Sequence, residues 1–186
     1  MKQQAVFLDR DGVLNKSLGR RPPNSPDELE MLPGAANAVK QLNEAGFKVF
    51  VVTNQGGVAL GYMTRAELDA IHAKLREEVA EAGGVIHEIA SCLHRPWAKC
   101  RCRKPKPGLL LELARKHNID LTRSFMIGDR EVDILAGQAA GTTTILVGTE
   151  DISPTIPDYA VPDLKAAAAL ILTELAPPLP EPGDTN

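Results

Sequence analysis

Asp9 and Asp11 bracket Arg10 and are followed at once by Gly12. Two carboxylates two residues apart can project into one pocket where a strand breaks into a turn. A carboxylate can attack phosphorus and form an aspartyl-phosphate. A second one nearby can protonate the leaving oxygen and then take a proton from water. Gly12 lets the chain bend and approach a phosphate closely. The bland alternative is a solvated acidic turn. Its position directly after the apolar run Ala5–Leu8 favours the chemistry.

Three further segments carry matching groups. Thr53-Asn54-Gln55-Gly56-Gly57 offers a hydroxyl, amides and glycine-exposed N–H groups, which suit phosphoryl oxygens. Arg103-Lys104-Pro105-Lys106-Pro107-Gly108 opens a helix, and a lysine there offsets phosphoryl charge. Asp129 stands where another apolar run stops, with Arg130 next and Asp133 four residues on. Magnesium takes hard oxygen ligands, and Asp9 and Asp129 supply carboxylates for it. Taken alone, the first and third of these segments read better as a polar turn and a helix cap, and the second reads equally well as a solvated basic loop. Together, and in this order, they specify a phosphoryl-transfer site.

All three cysteines, Cys92, Cys100 and Cys102, fall within one short stretch that also holds His94. The pattern C-x-H-x5-C-x-C supplies three thiolates and an imidazole. That is a closed tetrahedral set for structural zinc, with no position left for catalysis. Its expected task is to stiffen the loop that delivers Arg103 and Lys104.

The elements that must position these groups alternate. Short apolar runs at Ala5–Leu8, Lys48–Thr53, Val85–Ser91, Ser124–Ile127 and Thr142–Val147 read as strands, with Asp158–Ala160 as an edge strand. Helical spacing covers Ala35–Ala45, Thr64–Ala82, Pro107–Lys116, Glu131–Ala140 and Leu164–Leu175. Thr64 with Glu67 forms a capping box, and Leu68, Ile71, Leu75 and Val79 form that helix's stripe. The expectation is an α/β fold: a Rossmann-like, mainly parallel sheet with helices on both faces. Ligands bind such sheets beyond the carboxyl ends of the strands. Residues 1–175 are expected to form one domain, and 176–186, rich in proline, a mobile tail.

The chain has 186 residues, 44% of them hydrophobic, enough for a packed α/β domain. A net charge of -3 gives no general reason to bind nucleic acid or an anionic membrane. No apolar run is long enough to span a bilayer. Met1-Lys2-Gln3-Gln4 lacks the regions of a signal peptide, so a cytoplasmic monomer is the expected form. The rival from another class is a zinc-stabilised nucleic-acid-binding module built on Arg101, Arg103, Lys104 and Lys106. That stretch lacks the interleaved aromatics such modules stack on bases.

The motifs DRDGVLN, VVTNQGG, CRKPKPG and MIGDREVD, in this order, resemble the haloacid dehalogenase (HAD) superfamily from about Ala5 to Gly148. The resemblance implies a magnesium-dependent phosphatase. Asp9 is then the nucleophile and a metal ligand. Asp11 is the general acid/base, with its backbone carbonyl on the metal. Thr53 and Lys104 hold the transferring phosphoryl group, and Asp129 completes the metal site. Asp133 and Arg130 support that site from outside its ligand set. Asn54, Gln55 and Arg103 are assigned to substrate.

The cysteine cluster followed by RKPKPG is similar to the capless, zinc-bearing branch that holds heptose-bisphosphate phosphatases and histidinol-phosphate phosphatases. Gly61-Tyr62 and KPKPG look more like the heptose side. Arg20 and Arg21, in the loop after the nucleophile, suit a second phosphate and repel a cationic amine. The chain departs from the pattern at Leu93, where proline is common, and at Arg130, where heptose enzymes often have lysine. His72, His87 and His117 have no comparable setting and are expected to be surface or packing residues.

Overall fold

Within each strand, alternate residues go to opposite helix layers. Val6 and Leu8 of β1 (Ala5–Leu8) join one core cluster, while Ala5 and Phe7 join the other. β2 (Lys48–Asn54) divides in the same way, Val49 and Val51 against Phe50 and Val52. Both faces of these strands are therefore apolar, as a sheet covered on both sides requires. The computed structural model describes residues 2–18 and 21–175. The expected tail at 176–186 and residue Arg20 lie outside the described residues.

The first core layer is closed by α1 (Ala35–Glu44), α2 (Arg65–Glu81) and α5 (Leu164–Leu170). α2 begins with the expected capping box. Glu67 N–H donates to Thr64 Oγ1, and the Glu67 carboxylate takes the Thr64 N–H. The second layer is closed by α3 (Gly108–His117) and α4 (Glu131–Ala140). α5 continues as a π-helical turn over Ile171–Leu175. No helix of the described residues is long and apolar enough to cross a membrane.

The remaining strands are β3 (Glu88–Cys92), β4 (Phe125–Gly128), β5 (Thr143–Val147) and β6 (Tyr159–Val161). All pairings are parallel, in the order β3-β2-β1-β4-β5-β6. The chain thus starts in the middle of its sheet and runs outward first one way, then the other. The switch point lies between β1 and β4, where such sheets open a crevice for ligands. Asp9 follows β1 there, and Asp129 follows β4.

β3 begins three residues later than its apolar pattern suggests. Val85 is 54% exposed, and its N–H donates to Asn43 Oδ1 at 2.7 Å instead of to a ladder. Pairing starts only at Glu88, opposite Phe50, and ends with Cys92 opposite Asn54. That register sets the cysteine cluster beside the Thr53–Gly57 loop. Between Asp9 and α1 the described chain makes one short 3-10 turn, Pro26–Glu28, and no separate cap layer.

Candidate active site

The nucleophile candidate is placed by β1. Asp9 N–H donates to Ile127 O of β4 at 2.9 Å, which extends the parallel pairing one step past Leu8. Its residue is only 8% exposed. Burial pushes the Asp9 carboxyl up to about 7; Lys104 opposes that, and Asp133 and Asp11 add to it.

Lys104 answers from the loop before α3. Its ammonium donates to Asp9 Oδ1 at 2.8 Å and to Val52 O at 2.7 Å, and pairs with Asp133 Oδ1 at 2.6 Å. Burial alone disfavours its charge, but Asp133 and Asp9 outweigh that and its pKa is raised. The backbone of Lys104 is fastened by Asn54. The Asn54 Nδ2 donates to Lys104 O, and Lys104 N–H donates to Asn54 Oδ1, each at 3.1 Å. Asn54, assigned to substrate from its sequence position, lines the cavity but has both ends of its amide on this loop.

Asp129 and Asp133 complete an acidic set. One carboxylate oxygen from each of Asp9, Asp129 and Asp133 lies within 4.8 Å of the others. Asp129 Oδ1 is buried with no protein partner among the described residues. Its carboxyl is pushed up to about 6, by burial first and by Asp133 next. Three hard oxygen donors and an unanswered buried carboxylate oxygen fit a divalent cation such as magnesium. Gly12 permits this approach. Its φ is +88°, and a Cβ there would lie 2.1 Å from Asp129 Oδ2. Asp133, expected only as a support, stands in the acidic set itself, and its Oδ2 accepts from Arg130 N–H at 3.1 Å.

Asp11 is held apart from that set. Its carboxylate takes Arg10 Nη2 at 3.0 Å, Asn15 Nδ2 at 3.0 Å and Gln55 Nε2 at 2.9 Å. Arg10 is wholly buried, and its other end, Nη1, lies 3.2 Å from His72 Nε2. A guanidinium has no acceptor, so Nε2 of His72 must accept and its ring is neutral in this contact. Burial, then the Arg10 charge, pull the His72 pKa down to about 4. Arg10 and Asn15 carry no assigned role in the sequence reading, and His72 is expected there only as a surface or packing residue. The signal for Asn15 was its place in DRDGVLN; a lone arginine between two acids ordinarily faces solvent.

The second metal set lies at the end of β3. Cys102 Sγ is 3.3 Å from Cys92 Sγ, Cys92 is 3.7 Å from Cys100, and His94 Nδ1 is 3.2 Å from Cys102 Sγ. The cysteines are free thiols. Bonds of about 2.3 Å from sulfur to a central zinc require sulfurs about 3.8 Å apart in a tetrahedron, close to these spacings. Burial and the neighbouring sulfurs push the Cys102 thiol up to about 12. Three thiolates this close repel one another, and a cation between them would offset that repulsion. The knot ties the last residue of β3 to the residue just before Arg103 and Lys104.

Asp9, Asp11, Thr53, Arg103, Lys104 and Asp133, among others, line a cavity of about 570 Å³, while Asp129 lines a neighbouring one with Gly12. A family model described as HAD-hydrolase-like matches residues 101–169. A D-glycero-β-D-manno-heptose-1,7-bisphosphate 7-phosphatase of Pseudomonas aeruginosa is 37% identical over 92% of this chain and 99% of its own length. The enzyme of that name from Bordetella bronchiseptica is 38% identical over 91% of this chain and 98% of its own. The crystal structure of a D,D-heptose 1,7-bisphosphate phosphatase from B. bronchiseptica, complexed with magnesium and phosphate, superposes with a TM-score of 0.83. It is 36% identical and covers 92% of this chain and 99% of that one. The chain belongs to the heptose-bisphosphate phosphatase family of HAD-like hydrolases. An L-2-haloacid dehalogenase from Xanthobacter autotrophicus, 12% identical with a TM-score of 0.63, shares the fold alone.

In this member of the heptose-bisphosphate phosphatase family the cavity walls are basic. Arg21, Arg103, Lys106 and Arg130 all line it. The Nη1 of Arg103 is buried with no partner among the described residues. Arg21 differs: both of its terminal nitrogens donate to Glu28, at 2.7 and 2.9 Å. Gln55, assigned to substrate from the sequence, is wholly buried and does not line the cavity. Lys104 is buried, while Arg101 and Lys106 of the same basic stretch are exposed.

Proposed function

We propose that this protein is a magnesium-dependent phosphatase that removes the 7-phosphate of a D-glycero-D-manno-heptose 1,7-bisphosphate through an aspartyl-phosphate on Asp9. The observation that carries this reading is the buried Asp9 carboxylate on the cavity floor, 2.8 Å from the Lys104 ammonium and within reach of Asp129 and Asp133. The names of the relatives, which cover nearly the whole chain, select the substrate.

Asp9 attacks phosphorus, and the bond from phosphorus to the sugar oxygen breaks. Asp11 gives its proton to that oxygen. Water then attacks the phosphoryl group, Asp11 takes a proton from it, and the bond to Asp9 breaks to release inorganic phosphate. Thr53 and Lys104 donate to the equatorial oxygens as charge shifts across them. Asp9, Asp129 and the backbone carbonyl of Asp11 would hold magnesium, with Asp133 beside them, and the ion would supply charge neutralisation at the phosphoryl oxygens. Zinc at Cys92, His94, Cys100 and Cys102 fixes the loop that carries Lys104.

Arg103, with a free buried N–H group, is the residue for the second phosphate, and Arg21 faces the same cavity through its pair with Glu28. The basic lining opposes the ammonium of histidinol phosphate, the alternative substrate. The reading includes a cytoplasmic monomer with a small-molecule substrate and no nucleic-acid or membrane partner. The net charge of -3 gives no general attraction to nucleic acid or an anionic membrane.

The test is phosphate release from both anomers of the heptose bisphosphate, from histidinol phosphate and from simple sugar phosphates. The expected outcome is the highest kcat/KM for one bisphosphate anomer. A preference for histidinol phosphate would move the assignment to the alternative. Wild-type turnover by Asp9→Asn would overturn the mechanism.

A further inference from the structure

The neighbours of Gln55, Asn54 and Gly56, line the cavity; Gln55 itself lies behind the wall, wholly buried. Its backbone is pinned across the sheet, with Gln55 N–H donating to Cys92 O at 2.8 Å. Its side-chain nitrogen lies 2.9 Å from Asp11 Oδ2 and 2.8 Å from Thr53 Oγ1. In the ionised form that takes a proton from water, Asp11 only accepts, so the amide turns its N–H groups toward it and leaves Gln55 Oε1 buried with no partner among the described residues. One N–H therefore goes to Asp11 and the other to the Thr53 hydroxyl oxygen. That leaves the Thr53 proton with no acceptor among the described residues, on a side chain that lines the cavity.

We propose that Gln55 is a positioning residue that ties the acid/base Asp11 to the phosphoryl-holding Thr53 through one amide group. This rests on the phosphatase reading above and assigns Gln55 no contact with substrate. By occupying the Thr53 oxygen it directs the hydroxyl proton toward the phosphoryl group. By holding Asp11 Oδ2 it fixes the carboxylate that must reach the leaving oxygen. Arg10 and Asn15 hold the same carboxylate, but neither is bonded to Thr53.

Gln55→Met keeps the length and apolar bulk of the side chain and removes both donors. Gln55→Glu keeps the shape and sets an acceptor against Asp11; it carries the test should the methionine variant fail to fold. Both are assayed with magnesium on a sugar phosphate and on p-nitrophenyl phosphate, whose phenolate leaves with little help from an acid. The expected result for either variant is a kcat about tenfold to a hundredfold lower on the sugar phosphate, a smaller loss on the aryl phosphate, and a KM within about twofold of wild type. In an Asp11→Asn background, adding Gln55→Met should cost clearly less than it does in the wild type, because part of its effect runs through Asp11. A raised KM with kcat unchanged would mean that the amide meets substrate and would overturn the proposal. Fully additive losses would also overturn it. Failure of the wild type to release phosphate from either compound would sink the phosphatase reading instead, so the two failures are distinguishable.

Discussion

The Lys104 ammonium lies 2.8 Å from Asp9 Oδ1, and both side chains are almost wholly withdrawn from solvent. Lys104→Met would leave Asp9 and Asp133 facing each other with no counter-charge. Breaking a buried pair from one side typically costs about 3–5 kcal/mol. The variant should unfold at lower urea concentration without magnesium and recover part of that loss when magnesium is added. Its kcat should fall at least about a hundredfold, as when a donor to transition-state charge is removed. Urea titrations with and without magnesium, and steady-state kinetics, check both halves.

Gly12→Ala tests the approach of the turn to Asp129. The new methyl would meet Asp129 Oδ2 at 2.1 Å, at a backbone φ of +88° that side chains rarely adopt. Asp129 must shift, and magnesium affinity should fall by about tenfold or more. Calorimetric titration of magnesium into the two proteins reads this directly. Unchanged affinity would remove Asp129 from the metal site.

His72 makes a pH prediction. Its pKa is near 6.5 when unfolded, and burial with the Arg10 charge lowers it to about 4 in the fold. Between those values the unfolded chain binds a proton that the folded one does not. Stability is therefore lost as pH falls from about 6.5 toward 4, by up to about 3 kcal/mol at roughly 1.4 kcal/mol per pH unit. His72→Gln keeps an acceptor for Arg10 and cannot titrate, so its stability should vary less with pH across that window. Chemical denaturation at a series of pH values gives the comparison.

Removing one ligand of the cysteine knot should loosen the Lys104 loop. Cys100→Ser should lower Tm by roughly several degrees, reduce zinc below one ion per chain and lower kcat. The magnesium concentration for half-maximal activity should stay unchanged, because no zinc ligand belongs to the acidic set. Elemental analysis and a magnesium titration of activity separate these effects. Wild-type protein purified without zinc, yet equally stable, would contradict the structural role.

Much of this architecture is legible in residue types. The β1 and β2 strands show as short apolar runs, and Thr64 with Glu67 marks the start of α2 because a capping box is a local device. The cysteine knot is legible because four ligands crowd one short stretch. Direction is what the letters lack. Asn54 and Gln55 have the right chemistry for a phosphate, yet one amide clamps the Lys104 backbone and the other bridges Thr53 and Asp11. The contact of Arg10 with His72 is not legible because it joins residues 62 positions apart, on β1's exit and the middle of α2. The early start expected for β3 fails for a related reason: Val85 is apolar, but a side-chain oxygen of Asn43 takes its N–H before the sheet can.

Three carboxylates, those of Asp9, Asp129 and Asp133, lie close together with a single ammonium beside them. An ammonium has three protons, and Asp9, Asp133 and the Val52 carbonyl already engage Lys104. A dianionic ligand arriving alone meets surplus negative charge there, with the one ammonium shared between Asp9 and Asp133. A divalent cation bound among those carboxylates would remove the surplus, so substrate should bind more weakly to the bare protein than to the magnesium-loaded one.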